Sequence, residues 1–444
     1  MKKRVRRDRY LGQLVSKRGN GLVKVITGIR RCGKSYLLFT LFKEFLRKEG
    51  VDAAHIIEVK LDDERQKSLR NPIELAKRIR ERLPRDRKPR YVFIDEIQLC
   101  RKVRDPSVKL SEVSGEDRDF AYVTFYDVLN ELMKLPRTDV YVTGSNSKML
   151  SRDVATNFRD RGVEIRLHPF SFCEYLTAVG GEKAQAWENY LIWGGMPLAA
   201  LERDDAERAK YLKELFLKVY VRDICERHKL KGDYVLGKVA DILFSSVGSL
   251  TNPHKLVNAL KTVLGVKTSD PTLKKHLDHL EDAFLFSKAQ RYDVKGRRYL
   301  DYPEKYYAED LGLRNARLNF RQTEKTHLME NAIYNELVAR GCNVDVGVVS
   351  VERQEHGKRD LRQYEIDFIV NLGVHKVYVQ SAFSIPNAEK LAQETFPLRK
   401  SGDFFRKIVI EDGFRPPIAE EEGIVRVGVI PFMLDPDILI GGVR

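Results

Sequence analysis

The sequence predicts an α/β chain of several domains, led by a parallel sheet. Three observations predict it. Strand and helix patterns alternate from residue 22 to about 167, the pattern of parallel strands joined by crossover helices. A glycine loop at residues 28–35 separates an apolar run from a helix start. Beyond the sheet, the chain changes character near residues 233 and 320.

The apolar run is Leu22-Val23-Lys24-Val25-Ile26-Thr27, a buried strand. After the loop, Leu37, Leu38, Leu41, Phe42 and Phe45 recur at helical spacing. Between them, Gly28-Ile29-Arg30-Arg31-Cys32-Gly33-Lys34-Ser35 fits G-x-x-x-x-G-K-[ST] at every defined position. Such a loop turns its backbone N–H groups inward to cradle phosphates, and the helix start adds partial positive charge. Lys34 would neutralise the β- and γ-phosphates, and the Ser35 hydroxyl would hold Mg²⁺. The expected cofactor stretch runs from Gly28 to Tyr36, and the implied cofactors are ATP and Mg²⁺. Cys32 is open to two readings: a thiol activated by the helix start, Arg31 and Lys34, or an inert buried cysteine.

A second strand follows at His55 to Leu61, then a helix from Pro72 to Leu83 that ends at Pro84. Tyr91-Val92-Phe93-Ile94 is a third strand, running into Asp95-Glu96. After a phosphate loop, two acids at a strand end divide the work: Asp95 for the Mg²⁺ shell and Glu96 to orient the attacking water. Residues 101–121 read as a surface insertion. A helix from Thr124 to Leu135 leads to the strand Val140-Tyr141-Val142-Thr143, which enters Gly144-Ser145-Asn146-Ser147. A polar side chain there would sense the γ-phosphate or position water. Asn146 is the expected residue and Ser145 the second choice, against a plain turn. Phe158-Arg159-Asp160-Arg161-Gly162 precedes the strand Val163 to Leu167. Arg161 is placed to serve as an arginine finger, or else belongs to a solvated basic loop.

Net charge is +15, which favours a polyanionic partner such as nucleic acid, against a merely solvated basic surface. The five cysteines lie far apart without a C-x-x-C pair, the usage of reduced thiols in a cytoplasmic protein. The basic N-terminal residues Lys2 to Arg9 are followed by no apolar stretch, so they do not read as a secretory leader. The most apolar late stretch, Val427 to Ile440, is broken by Asp435 and Asp437, so no membrane span is expected.

Residues 170–232 read as helical, with Leu212, Leu215, Phe216, Val219 and Tyr220 on one apolar face. Residues 233–310 read as three helices and a hairpin around Asp293-Val294-Lys295-Gly296-Arg297. In the third helix Leu273, Leu277 and Leu280 face a core, leaving Lys274, Lys275, His276 and His279 for solvent or a ligand. That order resembles a winged helix, which either contacts DNA or braces two domains. Residues 320–444 begin with a helix, Leu328 to Arg340, and continue as strands. There Glu330, Asp367 and Gln380 sit where a PD-(D/E)xK, restriction-endonuclease-like fold places its metal ligands and lysine motif. The last motif reads Val379-Gln380-Ser381-Ala382, without the lysine. The expectation is a retained fold whose chemistry is weakened or lost.

Together these motifs resemble a family of archaeal and bacterial AAA+-like ATPases that join a P-loop domain to a C-terminal region of unknown function. The matching stretches include I-D-E-I-Q at 94–98, V-T-G-S-N-S-K-M-L at 142–150, P-F-S-F-C-E-Y-L at 169–176 and W-G-G-M-P at 193–197. Others are K-Y-Y-A-E-D-L-G-L-R-N at 305–315, E-N-A-I-Y-N-E-L at 330–337 and E-I-D-F at 365–368. Where relatives read F-R-G-R-G, this chain has Asp160 in place of the middle glycine, an acid able to pair with Arg161. Residue patterns and resemblance together give an expected ATPase core at 1–168, a helical lid at 169–232, a winged helix at 233–319 and a PD-(D/E)xK-like α/β domain at 320–444. Its activity would be Mg²⁺-dependent ATP hydrolysis acting on or regulated by DNA, with nucleotide-dependent homo-oligomers. The rival reading is a slow ATP-dependent protein-interaction switch.

Overall fold

The computed structural model describes residues 4–108, 121–145, 162–230, 234–265, 268–355 and 358–441. The chain divides after Leu167 into a unit of residues 5–167 and a unit of residues 168–444.

In the first unit the alternation becomes five parallel strands: β1 (Val23–Thr27), β2 (Ile56–Lys60), β3 (Arg90–Asp95), β4 (Thr138–Thr143) and β5 (Gly162–Arg166). Their order is β2-β3-β4-β1-β5. Side chains alternate across a strand, and here the two faces differ in kind. Val92, Ile94, Val140 and Val142 share a core with Leu75, Ile79, Val128 and Leu132 of the helices Pro72–Arg82 and Phe125–Lys134. Between them in register, Phe93 and Tyr141 point the other way and pack on Phe42, with ring centroids 5.8 and 4.8 Å from it. Phe42 belongs to the helix after the glycine loop, which runs Lys34–Tyr36, widens to a π turn over Leu37–Phe42, and resumes at Lys43–Lys48.

The helix ends follow from local chemistry. Asn71 accepts from the Ile73 N–H and Pro72 takes the first helical position, where no N–H is needed. Leu83, which precedes Pro84, leaves the helix for an extended conformation. Thr124 and Asp127 form a capping box. At the borders of the expected insertion, Val103–Arg104 pairs with Tyr122–Val123. Lys24 is fully buried in β1. It pairs with Asp139, whose other oxygen accepts from the Tyr141 hydroxyl at 2.7 Å and the Gly19 N–H at 2.9 Å. Burial pulls the Lys24 ammonium below its ordinary pKa, and the Asp139 bond opposes this.

The second unit holds a nine-stranded mixed sheet. Its strands are β6 (Leu250–Thr251), β7 (Phe286–Asp293), β8 (Arg298–Ala308), β9 (Asn343–Glu355), β10 (Lys358–Leu372), β11 (His375–Ala382), β12 (Arg406–Glu411), β13 (Ile418–Ala419) and β14 (Ile424–Gly428). The order is β13-β14-β12-β11-β10-β9-β7-β8-β6. The helices Tyr234–Ser245, Pro253–Leu264 and Asp270–Asp282 precede the β7–β8 hairpin, in the order expected from sequence. The hairpin is not a free ribbon: β7 also pairs in parallel with β9, Val346 opposite Arg291. Leu212, Leu215, Phe216 and Tyr220 are buried, as are Leu273, Leu277 and Leu280.

Two of the quoted motifs lock to each other here. The Asp310 carboxylate accepts from the Gly195 N–H at 2.7 Å and the Leu313 N–H at 2.9 Å. Asn315 donates to the carbonyls of Leu191 and Ile192 at 2.9 and 2.8 Å. A Cβ on Gly194 would come 2.4 Å from the Gly312 nitrogen and 2.5 Å from Asp310, and Gly194 has φ +69°. Thus W-G-G-M-P and E-D-L-G-L-R-N are two halves of one lock. Burial pushes the Asp310 pKa up to about 6 despite four backbone N–H donors.

A raised acid pKa means that the folded chain binds the proton more tightly than the unfolded one. Asp310 therefore favours folding below the unfolded value, and that contribution is lost as pH rises through about 6. The shift is worth about 3 kcal/mol. Asp310→Asn cannot titrate. Urea unfolding from pH 3.5 to 7 should show the wild type losing about 3 kcal/mol relative to Asp310→Asn. A constant difference would refute this assignment.

Candidate nucleotide site

The site grows from the ends of β1, β3 and β4. Gly28 leaves β1 with φ +134°, and a Cβ there would meet the Leu167 carbonyl oxygen at 2.1 Å, so no larger residue fits. Arg31 takes a left-handed φ of 62°, and Gly33 one of 106° as the helix N-cap. Ile29 and Cys32 are fully buried beneath the loop. The Cys32 thiol donates to the Leu167 carbonyl at 3.3 Å, which favours the inert of the two readings open for it. Arg30 is half-buried and Arg31 exposed, while Tyr36 is 36% exposed one turn into the helix. Lys34 is buried, its ammonium donating to the carbonyls of Gly28 and Ile29 at 3.0 and 3.1 Å. That places the cation inside the curl of the loop, where phosphate oxygens would be held.

The Ser35 hydroxyl donates to Asp95 Oδ1 at 3.0 Å. Both are hard oxygen donors converging on one place, the chemistry that Mg²⁺ selects. Asp95 is 3% exposed, and burial raises its pKa. The Ser35 and Thr143 hydroxyls oppose that shift, and the neighbouring charge of Glu96 adds to it. Glu96 has φ 51°, a left-handed conformation rare outside glycine, and it turns the chain out of β3. Its carboxylate accepts from the Gln98 amide and from the Ser145 hydroxyl at 3.4 Å.

Two residues of this site escape sequence reasoning. Thr143, the last residue of β4, donates its hydroxyl to Asp95 Oδ1 and accepts from the Glu96 N–H at 3.0 Å. It fixes both acids at once. No local signal marks it: β3 and β4 are neighbours, so the end of one strand faces the end of the other, and only the sheet sets that pairing. Arg7, 2% exposed, donates to the Cys32 carbonyl at 3.2 Å from beneath the loop. Nothing separated it from the other cations of the basic N-terminus. The expected sensor Asn146 and the expected finger Arg161 lie outside the described residues.

Fold and site together define a P-loop nucleotide-binding domain. Comparison with known proteins agrees: residues 20–176 match a family described as an AAA domain. Residues 184–324 match a domain of unknown function, DUF8612. An uncharacterized protein of Haemophilus influenzae is 31% identical over 435 residues, covering 97% of this chain and 98% of that protein. An uncharacterized protein of Methanocaldococcus jannaschii is 24% identical over 384 residues, covering 83% and 76%. The chain belongs to the family of the Haemophilus influenzae protein, with an AAA domain followed by DUF8612. Among solved structures, a Walker-type ATPase of Pyrococcus abyssi is 13% identical with a TM-score of 0.45, over 71% of this chain and 96% of that one. The Aeropyrum pernix ORC1 protein in complex with DNA is 13% identical with a TM-score of 0.29, over 72% and 94%. Likenesses that loose carry no argument about function.

The second unit has its own polar cluster. Glu330, Asp367 and Gln380 are brought together, with the Ser381 N–H donating to Asp367 Oδ2 at 2.8 Å and Gln380 Oε1 accepting from the Asp367 N–H at 3.4 Å. Sequence reasoning found no lysine in the third motif. The structure supplies one from β8: Lys305, 3% exposed, lies 3.0 Å from Glu330, 2.7 Å from Glu365 and 3.8 Å from Asp367. Burial disfavours its charge, and the three carboxylates outweigh burial, so its pKa stands above the ordinary value. Burial and then the Glu330 charge push Asp367 up to about 8. A cavity of about 580 Å³ opens beside Glu365 and Gln380.

Thr143→Val keeps the shape of the strand end and removes the hydroxyl shared by Asp95 and the Glu96 N–H. Leaving buried groups unpaired costs about 1–3 kcal/mol. Urea unfolding should register that loss, and Thr143→Ser, which keeps the hydroxyl, should restore most of it. Equal stability of the valine variant and the wild type would show that the hydroxyl fixes nothing.

Proposed function

We propose that this chain binds and hydrolyses ATP with Mg²⁺, and that the nucleotide state governs its hold on DNA. The observation that carries the hydrolysis reading is the chain of contacts Ser35–Asp95–Thr143–Glu96 at the mouth of the phosphate loop. When bound, Mg²⁺ would supply charge neutralisation between the phosphates. Ser35 and Asp95 would hold it. Lys34 would exchange its two loop carbonyls for phosphate oxygens. Glu96, set beyond Asp95 and steadied by Gln98 and Ser145, would orient the attacking water. We keep Asn146 as the γ-phosphate sensor and Arg161 as a finger acting between copies of the chain. None of the five cysteines is in a disulfide, which supports a cytoplasmic setting. Among the described residues no helix is long and apolar enough to cross a membrane.

The DNA reading rests on charge. The net charge is +15, and Lys274, Lys275, Arg297 and Arg298 are exposed on one helix and the hairpin turn of residues 233–319, our winged helix. We read residues 169–232 as a lid and 320–444 as a nuclease-like scaffold that does not cut. Lys305, from the preceding segment, fills the scaffold's carboxylate cluster as an internal counter-ion, and the third motif has no lysine of its own.

Steady-state ATP hydrolysis with and without Mg²⁺ and duplex DNA tests the first part. The wild type should require Mg²⁺ and be stimulated by DNA. Glu96→Gln should bind ATP and turn over at least about 100-fold more slowly. Unchanged turnover in that variant would end the assignment. DNA affinity should fall steeply with salt, and alanine at the four basic positions should flatten the slope by about 0.9 for each phosphate no longer neutralised. Absence of binding at low salt would favour the protein-interaction switch.

The scaffold reading has its own test. Incubation with plasmid DNA and Mg²⁺ or Mn²⁺ should give no cleavage by the full chain. Cleavage abolished by both Lys305→Met and Asp367→Ala would overturn the counter-ion reading and make Lys305 the missing lysine.

A further inference from the structure

The helix Asp270–Asp282 carries His279 and Asp282 three residues apart. That spacing makes them neighbours on one face. His228 comes against that face as the last residue of the helix Arg222–His228, where Lys229 turns the chain away with φ 51°. The His228 and His279 rings stack, with centroids 3.6 Å apart and planes 22° from parallel. One possible ligand atom from each of His228, His279 and Asp282 lies within 4.8 Å of the other two. Asp282 is 5% exposed and both histidines are half-buried.

We propose that His228, His279 and Asp282 form a binding site for a divalent transition ion of the zinc class. Two imidazole nitrogens and a carboxylate oxygen are the donors that zinc takes, whereas Mg²⁺ and Ca²⁺ prefer oxygen alone. The set therefore selects a different ion from the Ser35–Asp95 pair. Around a tetrahedral ion with bonds of about 2.0–2.2 Å, donor atoms stand roughly 3.3–3.6 Å apart. In the stack the two ring planes are nearly parallel and their in-plane lone pairs do not converge, so ligation requires one imidazole to turn out of the stack into another staggered rotamer, as well as closing a gap of roughly 1 Å. Three protein donors leave one position, open to water or to His276, whose ring lies 6.4 Å from that of His279 at 79°. The ion would clamp the helix Arg222–His228 to the helix Asp270–Asp282. The second of these presents Lys274 and Lys275, so occupancy would also steady that basic surface.

The alternative is an imidazole stack held by the carboxylate with no ion. Calorimetric titration of the chelator-treated full chain separates the two. Zn²⁺ should bind at one ion per chain, Mg²⁺ should not compete for it, and Co²⁺ should give the visible bands of a tetrahedral site. His279→Gln and Asp282→Asn should each weaken Zn²⁺ by roughly 10–100-fold or more, and His327→Ala, at an exposed position, should leave it unchanged. Thermal unfolding guards against misfolding. Metal-free variants should melt with the metal-free wild type, and only the wild type should gain stability from Zn²⁺. If His279→Gln fails to fold, His228→Gln probes the same set from the other helix. Absence of stoichiometric Zn²⁺ binding, or binding unaltered in the folded variants, would overturn the site.

Discussion

Ser35 and Asp95 stand 60 residues apart in sequence, and their side chains meet because of strand order. β4 lies between β1 and β3 in a parallel sheet, so all three strands end at the same edge. One edge thus receives the phosphate loop from β1, the acids from β3 and the Thr143 hydroxyl from β4. The aromatic layer of Phe42, Phe93 and Tyr141 presses the loop's own helix onto this sheet, so the packing that stabilises the unit also sets the height of Lys34 and Ser35.

Charge is buried in both units, and the solutions differ in stoichiometry. In the first, Lys24 meets one carboxylate, and the remaining oxygen of Asp139 is taken by a hydroxyl and an N–H. Removing a single partner from such a pair strands a charge, which is why both partners stay. In the second, Lys305 faces three carboxylates, and burial first, then the charge of Glu330, raises the pKa of Asp367. Asp310 shows a third way: a buried carboxylate held by four backbone N–H donors, used to tie two distant motifs together.

The loop, its helix, the two acids and the strands that carry them were legible because each is a local pattern. The glycine spacing, the apolar alternation and the run into Asp95-Glu96 are each written within a dozen residues. Thr143 reads from sequence as one more strand residue before Asn146, because a threonine at a strand end is ordinary until its neighbour strand is known. Arg7 was hidden among equal cations. Lys305 was missed because the third motif was searched for a lysine along one strand, whereas the ammonium arrives from another. The joining of β7 to β9 was equally invisible, since a hairpin's sequence shows its own partner and not the strand added at its edge.

The sequence by itself determined that a phosphate loop sits at the end of a buried strand, since glycine conformations and hydrophobic periods are properties of neighbouring residues. It also determined which strand ends in acids. Only the tertiary structure decided which strands lie side by side, and so which hydroxyl, lysine or histidine completes each polar cluster. Those partners come from distant parts of the chain, and no local propensity records that approach. It is fixed by the shared burial of apolar faces, which brings the polar groups together as a consequence.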